Sequence, residues 1–164
     1  MNNDTSILGG LINGGTGLTG GEVSFVQACH DCSCTDTNFS AAVAAAKTSV
    51  LAIAVLGIQN ECPGCHCRGC MKDQSAFEQE GHDRSSIQLG GNQRQLAHQL
   101  AQAKPEGGSL LCVLVHGGSL ALDTLLQDCT AIVTVWYPGQ QGGAAFADVV
   151  FGRVSPAGRS PVTW

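Results

Sequence analysis

The sequence predicts an α/β fold, a three-layer α/β/α sandwich built around a mostly parallel sheet of about five or six strands. Three apolar runs of strand length carry this prediction, at 49–56, 110–115 and 131–136. Each run is continuous rather than alternating, which is typical of strands buried on both faces of a parallel sheet. Helical segments separate the runs, and right-handed crossovers between parallel strands would place helices on both faces.

The helices are predicted where helix-forming residues or a one-sided apolar pattern separate the strands, at 39–47, 92–103, 121–126 and 142–151. The Ala-rich run at 39–47 has high helix propensity, and Asn38 is expected to cap it. Gly-rich residues 1–21 are expected to form a loop with one helical turn at 7–11, followed by a short strand at 23–26.

A single domain over residues 1–164 is expected, because this length suffices for one full-sized core. Only the loop at 59–83 lacks a regular pattern, and uncovered loops of this length are usually functional or mobile. The loop follows the first apolar strand, and ligands of such folds bind beyond the carboxyl ends of the strands. We therefore expect the chemistry of the protein in this loop.

Composition excludes two classes of partner. The formal net charge is −5, and the 8 Lys and Arg residues form no run that could neutralise phosphates, which speaks against nucleic acid. No apolar stretch approaches the roughly 18 residues of a membrane span. The first residues lack a basic end followed by an apolar block, so this chain shows no signal peptide.

Cysteine usage and two glycosylation sequons predict an extracellular, oxidising setting. Nine cysteines are present, and eight of them are disulfide candidates: Cys29, Cys32, Cys34, Cys62, Cys65, Cys67, Cys70 and Cys129. Cys112 lies inside an apolar strand and is predicted to be a buried thiol. The sequons make Asn3 and Asn38 candidate glycan acceptors. The expected secretion places the natural N-terminus upstream of Met1.

An odd cysteine count implies at least one unpaired thiol or a bond between two chains, which would cause self-association. Cys62, Cys65, Cys67 and Cys70 form two overlapping CxxC steps around His66. Thiolate pairs of this kind bind zinc, although zinc sites usually separate the two pairs by a dozen or more residues. A disulfide-pinned loop is favoured, zinc is the alternative, and no cofactor is predicted.

The stretch from Glu78 to Arg84 carries four ionisable side chains and His82 in a chain otherwise poor in charge. Glycoside hydrolysis requires a carboxylic acid that donates a proton and a second carboxylate across the sugar. The alternative is a solvated acidic loop, held by an ion pair between Asp83 and Arg84. Composition alone favours that alternative.

Several motifs, in order, carry a resemblance to a known family: AAVAAAK, VLAIAVLG, EQEGHDR, LGGNQRQL, VLVHGG, VWYPGQQGGAAFADVVFG and SPAGRSPVTW. Residues 39–164 resemble the C-terminal α/β domain of glycoside hydrolase family 3, closest to its β-xylosidase and β-glucosidase members. The Cys-rich stretch at 62–70 has no counterpart in that resemblance. The resemblance implies hydrolysis of terminal β-linked sugars with retention of configuration.

The resemblance also implies roles for individual residues. Glu80 falls on the family's acid/base position, with Glu78 as runner-up, and Asp83, Arg84 and His82 are candidates for substrate binding. The family's nucleophile is an Asp from a separate (β/α)8 barrel, which this chain lacks, so little or no hydrolysis is expected from the chain alone. Without the barrel, the chain would contribute only one of the two catalytic carboxylates, the acid/base.

Two other functions stay open at this point. One is an extracellular structural or self-assembling protein cross-linked by disulfides, and the other is a carbohydrate-binding remnant without catalysis. At two further strand ends, His116 is expected to be a hydrogen-bonded structural residue and Trp136 to pack in the core rather than against sugar.

Overall fold

The computed structural model describes residues 6–15, 22–31, 33–59, 78 and 83–162. The chain divides into two compact units, one built from Met1–Phe25 with Tyr137–Thr163 and the other from Val26–Trp136. No helix in the described part is long and apolar enough to span a membrane.

A parallel sheet forms the centre of the Val26–Trp136 unit. Its strands are β1 (Leu51–Gly57), β2 (Ser109–Val115) and β3 (Ala131–Thr134), in the order β1-β2-β3. Both pairings are parallel, with Leu51 opposite Ser109 and Leu111 opposite Ala131. The predicted α/β class is confirmed, although the described residues contain three strands rather than five or six. Continuous apolar runs identified all three strands, of which β2 is buried or half-buried along its whole length, whereas β1 and β3 also carry exposed side chains.

The strand predicted at 23–26 is wrong, because residues 22–29 form neither helix nor strand. Val23 is 38% exposed and Phe25 is 63% exposed. Their weak alternation therefore buries neither side chain, and a strand gains stability mainly from such burial and pairing.

Five helices are present in the described residues: α1 (Ile7–Gly15), α2 (Ser40–Lys47), α3 (Gln93–Ala103), α4 (Leu125–Asp128) and α5 (Gly142–Val150). All but α4 begin within about two residues of their predicted starts, the usual uncertainty of helix ends. The predicted helix at 121–126 begins later, because the Ala121 amide bonds to the Ile87 carbonyl at 2.8 Å and ties this stretch to a neighbouring loop.

One face of the sheet packs against α3 and α4, and α2 packs on α3. Leu110, Cys112 and Leu114 point into this core and are completely buried. The prediction of a free Cys112 thiol is wrong, since Cys112 forms a disulfide with Cys129, with the two Cα atoms 5.9 Å apart. The apolar context of Cys112 predicted its burial but not the partner, which lies 17 residues away at the end of α4.

The unit formed by the two chain ends pairs α1 with α5. A Cβ added to Gly10 would overlap the backbone carbonyl of Gly143, so the close approach of the two helices requires glycine at position 10. Leu11 and Phe146 are buried in this unit.

Candidate active site

The long loop leaves and returns at the carboxyl end of the sheet. The Ile58 amide bonds to the Val115 carbonyl at 3.0 Å, which extends the pairing of β1 with β2 by one residue. The Glu78 amide then bonds to the Gln59 carbonyl, also at 3.0 Å. The two ends of the segment between Gln59 and Glu78 are therefore fastened together at the edge where ligands of parallel sheets bind.

The start of α3 is locked onto the end of β1. Gln93, only 6% exposed, accepts the Gly57 N–H at 2.7 Å and donates to the Gly57 carbonyl at 2.8 Å and the Gly90 carbonyl at 3.2 Å. A buried amide with several partners holds its neighbours in a single arrangement. The loop 83–92 that precedes α3 is thereby fixed at its far end.

The carboxylate of Glu78 contacts the turn that follows β2. One oxygen accepts the Gly117 N–H, and the other lies where a Cβ on Gly118 would stand. Six residues later, the guanidinium of Arg84 donates to the Ser119 carbonyl. We call the turn 117–119 with the Glu78 and Arg84 side chains the acidic-segment clamp. It holds both ends of the segment 78–84 against one turn.

Arg84 does not form the predicted ion pair with Asp83, since none of the ion pairs among the described residues joins them. Asp83 is exposed, whereas Arg84 is half-buried and uses one nitrogen for Ser119. Within the described residues, its Nη1 is buried without a hydrogen-bond partner. The Arg84 guanidinium therefore binds the neighbouring turn rather than the carboxylate of Asp83.

Two residues of the prediction, Glu80 and His82, lie outside the described residues, as do Asn3, Cys32 and the four cysteines at 62–70. The structure thus positions both flanks of Glu80, namely Glu78 and the pair Asp83–Arg84. Among the described residues, no group of three or more His, Cys, Asp or Glu side chains could hold a metal ion.

An aromatic pair completes this end of the sheet, formed by two residues that the sequence singled out without predicting their contact. His116 is fully buried after β2, and its Nδ1 donates to the Gly118 carbonyl at 2.7 Å. Its ring centroid lies 4.6 Å from that of Trp136, at an interplanar angle of 41°. Trp136 follows β3 with φ +52°, a left-handed conformation that costs energy for a bulky residue. Their equivalent places after neighbouring parallel strands could have predicted this contact.

Two carboxylates beside the site have lowered pKa values. The backbone N–H of His30 and then its imidazole lower the pKa of Asp36, through bonds of 2.8 and 2.9 Å. The Thr124 N–H, followed by the Gln88 amide at 3.1 Å, lowers the pKa of Asp123. Each shift arises because hydrogen bonds favour the ionised form.

A disulfide between Cys29 and Cys34 closes a small loop in front of α2, with the Cα atoms 4.8 Å apart. Asn92, which precedes α3, donates to the carbonyls of Asp36 at 2.9 Å and Thr35 at 3.3 Å. This small loop is therefore fastened to the same end of the sheet as the acidic-segment clamp.

Comparison with known protein families identifies the family of this chain. Residues 3–164 match the model of the glycosyl hydrolase family 3 C-terminal domain. The chain belongs to glycosyl hydrolase family 3. It is similar to beta-D-xylosidase 3 of Arabidopsis thaliana, with 35% identity over 133 residues that cover 80% of this chain and 15% of that enzyme. A xylan 1,4-beta-xylosidase of Xylanibacter ruminicola is 42% identical over 85 residues, which cover 52% of this chain and 10% of that enzyme.

Solved structures of β-glucosidases share the fold of this chain. A β-glucosidase from Erythrobacter marinus matches with a TM-score of 0.65 at 28% identity, covering 91% of this chain and 21% of that one. A family 3 β-glucosidase from Neurospora crassa shares the fold with a TM-score of 0.68 at 22% identity, covering 98% of this chain and 17% of that one. The resemblance seen in the sequence is confirmed, and the chain spans about one sixth of the length of the plant xylosidases it matches.

Proposed function

We propose that this family 3 domain supplies the general acid/base, Glu80, to a retaining β-glycosidase that acts on terminal β-linked xylose or glucose. The sugar class rests on the relatives, which are xylosidases and glucosidases by name. The single observation that carries the proposal is the acidic-segment clamp, which fastens both flanks of Glu80 to the carboxyl end of the parallel sheet.

The clamp matters because a general acid must stand within hydrogen-bond reach of the oxygen that it protonates. A loop residue meets this requirement only when the surrounding backbone is held in place, since small displacements of reacting groups cost much of the rate. Glu78 and Arg84 fix the segment against the turn 117–119, and the buried amide of Gln93 fixes the following loop.

In the proposed reaction, the protonated Glu80 carboxyl donates its proton to the leaving glycosidic oxygen while a carboxylate nucleophile attacks the anomeric carbon. The resulting carboxylate of Glu80 then takes a proton from the water that attacks the glycosyl-enzyme ester. Hydrolysis regenerates the acid and releases the sugar with its original configuration.

Glu78, the runner-up for the acid/base, receives a different role in this proposal. One of its oxygens accepts a backbone N–H and the other is packed against Gly118, so the carboxylate faces the protein's own turn. Glu78 is therefore assigned as a positioning residue, and Glu80 keeps the proposed acid/base role.

We further propose that the chain alone hydrolyses little or nothing, because the nucleophile would come from the (β/α)8 barrel of the complete enzyme. The chain covers only 14 to 16% of the plant xylosidases that it matches, and the remainder of such an enzyme is where a barrel would lie.

Joining the chain to the barrel domain of a family 3 β-xylosidase tests this function. Hydrolysis of aryl β-xylosides and β-glucosides is measured for the chain, the barrel and the joined protein. Activity is expected in the joined protein alone, with a loss of about a hundred- to ten-thousand-fold on Glu80→Gln. Full activity of the Glu80→Gln protein would reject the acid/base assignment, and sugar binding without hydrolysis would favour a carbohydrate-binding domain.

A further inference from the structure

The sequon Asn38-Phe39-Ser40 lies at the start of α2 in an arrangement suited to a glycan. Asn38 and Ser40 are exposed, whereas Phe39 between them is 2% exposed and belongs to the hydrophobic core. The middle residue thus anchors the sequon, and its two functional residues face solvent.

The side-chain amide of Asn38 has a defined orientation. Its oxygen Oδ1 accepts the Ser40 N–H at 3.1 Å, which forms an Asx turn before the helix. This hydrogen bond uses the oxygen of the amide and not Nδ2, the nitrogen to which an N-linked glycan is attached. Thr37 and Ala41, the next residues on either side, are also exposed, so the chain on both sides of the sequon leaves room for a bulky substituent.

The turn that carries Asn38 is fixed to the body of the domain. The Cys29–Cys34 disulfide closes the preceding loop, and Asn92 bonds the carbonyls of Thr35 and Asp36. Two disulfides among the described residues also fit an oxidising compartment, which is where N-glycosylation takes place.

From these observations we propose that Asn38 is an N-glycosylation site. The donor is an oligosaccharide linked to a lipid through pyrophosphate. Asn38 Nδ2 forms a bond to the anomeric carbon of the first sugar and gives up one proton, while the bond from that carbon to the pyrophosphate oxygen breaks. The lipid pyrophosphate leaves with the electron pair, and no oxidant or reductant is required.

The experiment secretes the full chain from a eukaryotic host and measures its intact mass before and after treatment with a peptide-N-glycosidase. The enzyme is expected to remove a glycan increment and to leave an aspartate in place of the asparagine, located by peptide mapping. Ser40→Ala is the decisive variant, because it removes the hydroxyl required by the sequon but keeps the backbone N–H that bonds Asn38.

Ser40→Ala and Asn38→Gln are each expected to lose the whole increment at this position, and Ser40→Thr to retain it. Asn3→Gln controls for the second sequon and should leave the glycan on Asn38. Circular dichroism and thermal unfolding check that each secreted variant is folded. A folded, secreted chain that carries no sugar at Asn38, or a glycan mapped to Asn38 that survives Ser40→Ala, would overturn the proposal.

Discussion

Gln93 bridges both backbone groups of Gly57, accepting the N–H at 2.7 Å and donating to the carbonyl at 2.8 Å. Through this pair of bonds the first residue of α3 is joined to the last residue of β1. The loop that carries the acidic segment runs between these two residues, so the bridge closes its base.

Replacing Gln93 by Leu is expected to destabilise the chain by about 1–3 kcal/mol, because the Gly57 backbone groups would lose their side-chain partner in a part-buried site. Urea unfolding of the chain measures the change. Gln95→Leu is the matched control, since Gln95 lies on the same helix with an exposed side chain. Equal stabilities of the two variants would show that the bridge contributes little.

The contact of Glu78 with Gly118 predicts a non-additive pair of substitutions. Gly118→Ala adds a Cβ that would overlap the Glu78 carboxylate, and Gly118 is not among the glycines with positive φ, so the added atom is the main change. We expect Gly118→Ala to destabilise the chain when Glu78 is present and to cost much less in a Glu78→Ala background.

A double-mutant cycle by urea unfolding measures this coupling. Gly158→Ala provides the control, because a Cβ there meets nothing within 4 Å. If the effects of Glu78→Ala and Gly118→Ala simply add, the acidic-segment clamp does not hold the turn 117–119 as described.

The proposed roles of Glu80 and Glu78 predict different responses to the leaving group. In the chain joined to a barrel domain, Glu80→Gln should slow substrates with poor leaving groups far more than activated aryl glycosides, since only the former need a proton from the acid. Glu78→Gln should slow both substrates by a similar factor, because it perturbs position rather than proton transfer. Steady-state kcat/KM values for the two substrates distinguish these outcomes, and the reverse pattern would exchange the two roles.

The three strands were predictable from sequence because each is a continuous apolar run, which is typical of strands in a parallel sheet. The later start of α4 was not predictable, because it depends on a hydrogen bond from the Ala121 amide to the Ile87 carbonyl, 34 residues earlier in the chain. Contacts of this range leave no local pattern in composition or periodicity.

The candidate site was likewise predictable only in part. The acidic segment was found from its density of charge and its place after a strand, but the ion pair expected between Asp83 and Arg84 was wrong. Adjacent opposite charges suggested the pair, whereas the fold offers Arg84 the Ser119 carbonyl. The partner of a side chain depends on how the fold brings the strand ends together. The identity of the neighbouring residues in the sequence does not reveal that partner.

The hydrogen bonds from His30 predict an acid-dependent contribution to stability. They lower the pKa of Asp36 below its ordinary value of 3.8, so the ionised carboxylate stabilises the fold above that pH. The contribution is lost as the pH falls through the lowered folded-state pKa. Asp36→Asn should therefore lower the melting temperature near neutral pH and make little difference in strong acid. Glu106→Gln, an exposed carboxylate on another loop, is the control, and a constant Asp36→Asn deficit at all pH values would contradict the linkage.

The disulfide between Cys112 and Cys129 should stabilise the domain more than the one between Cys29 and Cys34. The first closes a segment with a sequence separation of 17 residues and the second one of 5, and the entropy removed from the unfolded chain grows with loop length. The chain-entropy relation gives about 3 kcal/mol for the longer loop and about 2 kcal/mol for the shorter. Paired substitution to alanine, Cys112→Ala with Cys129→Ala against Cys29→Ala with Cys34→Ala, measures the difference by urea unfolding under non-reducing conditions.

Burial is similar in the two disulfides, so loop length decides the expected order. Cys112 and Cys34 are both buried, at 0% and 3% exposed, whereas Cys129 and Cys29 are both half-buried. Each pair of substitutions therefore leaves unfilled space at one core position. A larger loss of stability from the Cys29 and Cys34 substitutions would show that the small loop in front of α2, rather than the core crosslink, holds this domain together.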